Sequence, residues 1–356
     1  MLVVRRLFSR AAILGVCCAA GVQLAGGGVA AAAASPNQPV LVTRPAIQLG
    51  VDVDLYAWTG LNYDQASAAE VAYIEALHAN SVMVSFPFFV ASRTSSTVYS
   101  TVRTPSPADL AVFARLAMSK GLYVVLRPLM DQGGIAESRA GWSPHNPKAW
   151  FASYQKFLLP YATMAQQVGI PEFYVGAEFS RFQTLSYWNG LDKALRKVYK
   201  GKLMYANNGS GVRSGDGGNA VARSVDAYPD LGVSDSVKVG QLTRRWEAYD
   251  RRLPASNVLS EVGISGVRGG WVKPWKHNWP HPRLDVTVQT RWFSAACHAA
   301  VAQRLTGIYF WAIGFGPTQL YTKLSAKNQG AWEDGPAQAA VAACYRQVRD
   351  PAGLSQ

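Results

Sequence analysis

The chain has 356 residues, 49% of them hydrophobic and 16% charged, with a net charge of +13. That composition allows a sizeable buried core, and the length suits one large α/β barrel or two ordinary domains, of which a single domain is expected here. The charge favours an anionic polymer, a wall or a membrane surface. The Lys and Arg residues are nevertheless scattered, with no cluster denser than KALRKVYKGK at 193–202, which reads as one solvated helix face, so nucleic acid is excluded as a partner.

Residues 1–34 read as an export leader. Arg5, Arg6 and Arg10 flank an apolar stretch from Ala11 to about Ala20, and small residues follow to an A-x-A pattern near Ala32–Ala34. The order Arg5, Arg6, Phe8 is that of a twin-arginine signal. An uncleaved anchor competes with this reading but suits the short, Gly- and Ala-rich run less well, and Cys17 and Cys18 have poor neighbours for lipid attachment. Cleavage removes three arginines and leaves a net charge of +10. A lead segment is expected over 35–46, a barrel over 47–349 and a tail over 350–356.

From Ile47 onward, strand-like runs alternate with helical patterns. The runs begin near Ile47, Ser81, Leu122, Glu172, Lys202, Ser224, Asn257 and Gly307, and between them lie segments such as SAAEVAYIEALHAN, SPADLAVFARLAMSKG and AWFASYQKFLLPYATMAQQVG. Their apolar residues recur at helical spacing behind Ser or Asp caps. Eight such units predict a closed (β/α)8 TIM barrel rather than an open sheet, which would carry a glycine-rich phosphate loop after its first strand. No such loop follows Ile47.

In a barrel the chemistry sits at the C-terminal strand ends. Those ends hold Asp54 and Trp58, Phe86 and Phe88, Arg127 and Asp131, Glu178, Asn207 and Asn208, Asp226 and Tyr228, Glu261, and Trp311. Carboxylates, amides and flat aromatic rings are what carbohydrate recognition uses. The two glutamates, each closing a short apolar run, are the pair a retaining glycosidase needs, roughly 5 to 5.5 Å apart.

These residues carry a specific resemblance. LRP at 126–128, GAE at 176–178, YANN at 205–208, VDAYP at 225–229, SEVG at 260–263 and YFW at 309–311, together with Pro274, Trp275, Asp285 and Gln289, resemble the retaining glycoside hydrolases of clan A. The match is best with the endo-mannanase family numbered 113. The resemblance implies that Glu178 is the general acid/base, Glu261 the nucleophile and Trp311 the floor under the sugar. Tyr228 is expected to donate a hydrogen bond to Glu261, and Arg127 to add positive potential. Most clan members carry Asn before the acid/base, where this chain has Ala177; Asn207 or Asn208 is expected to take over its role at the sugar 2-position. The same departure keeps open a glycan-binding protein without catalysis. Substrates compatible with the resemblance include β-mannan, a cell-envelope glycan, and arabinofuranoside or galactofuranoside polymers.

Trp58 is a further substrate-binding candidate. Trp271, Trp275 and Trp279 recur every four residues in a Gly- and Pro-rich stretch that reads as a loop, either a cleft wall, with Trp275 binding substrate, or a packed lid. His145, His277 and His281 form no metal-binding array and there is no G-x-S-x-G elbow, so neither a metal nor any other cofactor is expected. Without the leader, Cys297 and Cys344 remain in two helical patterns; a disulfide between the last two outer helices and two free buried thiols both fit. A monomer is expected.

Overall fold

The computed structural model describes residues 41–135, 137–209, 221–253, 258–316 and 323–350. The expected leader over 1–34 therefore lies outside the described residues. The strands are β1 (Gln48–Asp54), β2 (Ser81–Phe88), β3 (Tyr123–Met130), β4 (Glu172–Ala177), β5 (Lys202–Asn208), β6 (Ala222–Ala227), β7 (Val258–Val262) and β8 (Gly307–Gly314). All eight pair in parallel, in chain order, and β8 closes on β1. This is the (β/α)8 barrel expected, with every strand starting within two residues of its predicted position.

Seven helices surround it among the described residues: α1 (Tyr63–Ala76), α2 (Pro107–Ser119), α3 (Pro147–Val168), α4 (Tyr187–Val198), α5 (Val239–Asp250), α6 (Val286–Ala302) and α7 (Pro336–Arg349). Local chemistry sets their starts. At α2 the Ser106 hydroxyl accepts from the Asp109 N–H, the Asp109 carboxylate accepts from the Ser106 N–H, and Pro107 occupies the first turn. α1 begins four residues ahead of the predicted segment because Asn62 caps it through the Gln65 N–H. Cys297 and Cys344 are joined, which ties α6 to α7. No helix among the described residues is long and apolar enough to cross a membrane.

The strands read as nearly continuous apolar runs because both faces are covered. Alternate residues feed two cores. Val82, Val84, Leu126 and Phe310 pack outward against the helices, whereas Met83, Val125, Tyr174, Met204 and Tyr309 fill the barrel interior.

Three strands break this alternation. Tyr174 and Gly176 of β4 face consecutive residues of β5, Leu259 and Glu261 of β7 face consecutive residues of β6, and Phe310 and Ile313 of β8 oppose Val51 and Val53 of β1. Each is the one-residue register shift of a β-bulge, which re-aims the side chains beyond it. These strands lead into Glu178, Glu261 and Trp311.

Candidate active site

A cavity of about 420 Å³ opens at the C-terminal ends of the strands. Its lining includes Glu178, Glu261, Asn208, Tyr228, Trp311, Trp275, Arg139 and His277. A larger hollow of about 790 Å³ lies between α2 and α3, but no acidic residue lines it and it is remote from the strand ends. The smaller cavity is where the chemistry converges.

Glu261 sits on β7 one residue past the bulge. Without that extra residue the alternation would place Glu261 and Ser260 on opposite faces; with it, Ser260 donates to Asp226 inside the barrel and Glu261 also reaches the interior. One Glu261 oxygen accepts from Arg127 Nη2 and the other from the Tyr228 hydroxyl at 2.7 Å. Burial pushes the Glu261 pKa up, but Arg127, Arg139 and the Tyr228 hydroxyl outweigh it and hold the carboxyl below its ordinary value. Tyr228 is held protonated by burial and by the Glu261 charge. Gly263 permits this arrangement: a Cβ there would lie 3.0 Å from the Tyr228 ring and 3.4 Å from the Trp311 Cβ.

Arg127 lies fully buried beneath the cavity floor. Its Nη1 donates to Asp52 at 3.2 Å and its Nη2 to Asp226 at 2.7 Å as well as to Glu261. Three carboxyls thus share one guanidinium. Each added negative charge in a dry site opposes the next. Burial raises the pKa of Asp52 and of Asp226 well above the carboxylate range in spite of Arg127, and Glu261 adds to the shift in both. Burial therefore opposes ionisation of Asp52 and Asp226, while the Glu261 carboxyl is held toward its ionised form. Hydroxyls donate to both acids, Ser85 to Asp52 at 3.0 Å and Ser260 to Asp226 at 2.7 Å, and partly offset the upward push of burial.

Glu178 follows β4 directly and adopts φ +60°, a left-handed conformation that costs a non-glycine residue about 1–3 kcal/mol. Two bonds hold it there: the Glu178 N–H donates to the Ala206 carbonyl and the Phe179 N–H to the Tyr205 hydroxyl. Its carboxylate accepts from Asn208 Nδ2 at 3.2 Å on one oxygen and from Arg139 Nε and Nη2, at 3.1 and 2.8 Å, on the other.

Of the expected residues, Glu178, Glu261, Tyr228, Asn208, Trp275 and Trp311 meet at the cavity. Asn207 does not: its side chain accepts from Arg223 Nη1 at 2.8 Å away from the cavity, because alternation along β5 turns Asn208 inward with Met204 and Ala206. Trp58 is exposed and outside the cavity lining, and Arg127 acts from below without touching the open space. Of the three spaced tryptophans, Trp271 is buried against Trp292 and bonded to Asp235, and Trp279 lies under Lys276; Trp275 alone lines the cavity. Gln289 is structural, its amide donating to the Ile264 and Gly330 carbonyls. Sequence reasoning missed Arg139 and the catalytic-end placement of His277. Both lie in loops where no periodicity marks them.

The decisive comparison is with family models, where Glycoside Hydrolase Family 113 matches residues 55–333. The chain belongs to that family. It is therefore a glycoside hydrolase, and the glycan-binding alternative that Ala177 left open gives way to an enzyme. Among solved structures, a family 113 β-1,4-mannanase in a complex superposes with a TM-score of 0.68 at 18% identity, covering 84% of this chain and 99% of the other. The family 113 β-mannanase AaManA from Alicyclobacillus acidocaldarius, in complex with ManMIm, gives 0.65 at 22% identity over 85% and 98%. A family 5 xyloglucanase from Paenibacillus pabuli gives 0.51 at 11% over 85% and 98%. At these identities the structural likeness speaks for the fold. No curated protein matches the chain.

Proposed function

We propose that this family 113 hydrolase cleaves a β-mannan with retention, using Glu178 as general acid/base and Glu261 as nucleophile. The observation that carries the proposal is the meeting of Glu178 and Glu261 at one cavity, with Glu261 bonded to Arg127 and to the Tyr228 hydroxyl and its carboxyl held below the ordinary pKa. In the first step a Glu261 oxygen bonds to the anomeric carbon while Glu178 gives its proton to the departing oxygen. In the second, Glu178 takes a proton from water, and that water's oxygen displaces Glu261 from the same carbon. Asn208, which donates to Glu178 at 3.2 Å, orients it and takes over the role of the amide missing at Ala177. Trp311, half-buried at the cavity and packed against the interior core, offers the flat face for the sugar.

β-1,4-Mannan is the substrate that the mannanases of like fold are named for. The assay is proton NMR of products from β-1,4-mannan and from aryl β-mannosides, compared with galactan and arabinan. Products formed first as the β-anomer support the mechanism, and α-anomeric first products rule it out. Glu178→Ala should lose turnover of mannan but keep forming the glycosyl-enzyme from an aryl β-mannoside with a good leaving group, which azide should then release as a β-mannosyl azide.

Export is part of the same proposal. It rests on Arg5, Arg6 and the apolar stretch behind them, and on a Cys297–Cys344 bridge that suits an oxidising compartment. Expression of the full chain in a secreting host, with N-terminal sequencing of the product, decides it. A mature terminus near residue 35 is expected, whereas an uncut cytoplasmic product overturns it.

A further inference from the structure

The loop between β7 and α6 brings His277 to the cavity on the side of the nucleophile. The His277 ring stands edge-on to the Tyr228 ring, with centroids 6.2 Å apart and planes at 81°. Tyr228 in turn donates to Glu261 at 2.7 Å. The segment that carries the ring is pinned beside it: Ser265 Oγ and the Trp279 indole N–H both donate to the Lys276 carbonyl, at 2.6 and 3.0 Å. Gln329, 3% exposed, clasps the far side, its side chain accepting from the Trp279 N–H and donating to the Trp279 carbonyl. The imidazole is thus held in place by its own loop.

Its nitrogens are not used by the protein. Among the described residues neither has a hydrogen-bond partner, and the glutamates of the site take theirs elsewhere, Glu261 from Arg127 and Tyr228, Glu178 from Asn208 and Arg139. Nδ1 is turned toward Gly330, where a Cβ would lie 3.3 Å from it, which leaves Nε2 for the open space. Enclosure by the cavity walls pushes the pKa of the ring down against the pull of the Glu261 charge. At neutral pH the imidazole is therefore uncharged and offers one donor and one acceptor. The partner that matches it is a group that also donates and accepts, as a sugar hydroxyl does. Because the loop is already fixed, such a contact costs little ordering.

We infer that His277 is a specificity residue: its Nε2 bonds one hydroxyl of the sugar whose anomeric carbon meets Glu261. The inference rests on the assignment of Glu261 as nucleophile above. It makes the enzyme select for one hydroxyl on the Tyr228 side of that sugar, since a substrate lacking it leaves the imidazole covered and unpaired.

The test sets an aryl β-mannoside against its monodeoxy analogues on wild type, His277→Phe and His277→Gln, with melting curves to show that the variants fold. Phe keeps an aromatic edge against Tyr228 but has no nitrogen, whereas Gln keeps a donor and an acceptor without the ring. One deoxy position should cost wild type roughly tenfold more in kcat/KM than it costs His277→Phe, and the other positions should cost both proteins alike. On the parent mannoside His277→Phe should lose roughly tenfold, while His277→Gln stays within about threefold of wild type. If His277→Phe does not fold, His277→Ala takes its place in the same comparison. Equal deoxy penalties at every position overturn the inference. So does a fully active His277→Phe beside an impaired His277→Gln, which would leave the ring as packing for Tyr228. Wild type without activity on the parent mannoside fails the proposed function and the inference with it, whereas an active wild type with equal penalties fails the inference alone.

Discussion

Glutamates occupy both ends of this barrel, and the contrast between them shows what separates a structural carboxylate from a chemical one. Glu172, the first residue of β4, is fully buried and meets the Tyr123 hydroxyl at 3.2 Å, the Gln48 amide at 3.5 Å and Lys202 at 3.5 Å; Gln48 in turn accepts from Tyr309. This lower end is closed by partners that begin strands β1, β3 and β5. Glu178, six residues further on, and Glu261 face a cavity at the other end, are served by arginines, and follow register shifts that the lower end lacks. Lower-end residues of such barrels stabilise and upper-end residues react. Here the difference lies in access to an open cavity, not in residue type or in the presence of a cation, since Lys202 also stands 3.5 Å from Glu172.

The largest expected effect comes from exchanging the amide for the acid at each end. Glu261→Gln should reduce kcat by on the order of 10⁴-fold or more with the fold intact, because an amide cannot form the glycosyl ester. Glu172→Gln should leave kcat/KM within about threefold and cost roughly 1–3 kcal/mol in denaturant stability as a buried hydrogen-bond network is disturbed. Equal kinetic losses in the two variants would break the comparison.

Trp311→Ala comes next, with kcat/KM lowered roughly a hundredfold through loss of ring orientation while circular dichroism and melting stay near wild type. An unfolded product without selective kinetic loss would place Trp311 in the core instead.

Asp250, at the end of α5, tests a carboxyl in a third setting, the helical layer. It is 2% exposed, neither of its carboxyl oxygens has a hydrogen-bond partner among the described residues, and burial, with Glu247 nearby and Arg251 opposing, pushes its pKa up to about 7. A raised native pKa means that its stabilising share is fully present below about pH 4 and is lost as pH rises through about 7. Asp250→Asn should therefore gain on wild type across that window, by on the order of 2–4 kcal/mol above pH 8, in urea titrations run at several pH values. A constant difference from pH 4 to 8 would show that Asp250 ionises freely.

The smallest effect is expected at Asp226. Burial pushes the Asp226 pKa well above the carboxylate range, so Asp226→Asn, which keeps nearly the same shape, should leave kcat/KM at neutral pH within about threefold. A loss above about thirtyfold with a changed acidic limb of the pH–rate profile would mean that Asp226 shares the negative charge with Glu261.

Much of this molecule was legible in the chain. The eight apolar runs announce the barrel because a parallel sheet covered on both faces needs them, and Glu178 and Glu261 stand out because polar residues ending such runs have few structural uses. Alternation alone also separates Asn208 from Asn207, given that Met204 and Ala206 face inward. That signal was available in β5 and went unused.

Other features belong to tertiary structure alone. The bulges in β4, β7 and β8 reveal themselves only in the pairing with a neighbouring strand, and a strict two-residue period misplaces every side chain beyond them. The grip of Arg139 on Glu178 spans 39 residues and depends on the course of a loop. The sharing of one guanidinium by Asp52, Asp226 and Glu261 emerges only once four strands bring the three carboxyls to Arg127. Likewise, the helical patterns around Cys297 and Cys344 left their pairing undecided until α6 and α7 packed side by side. Local periodicity is written along the chain and determined the barrel with its two glutamates, whereas charge sharing, loop course and register arise between distant segments and were decided when the chain closed on itself.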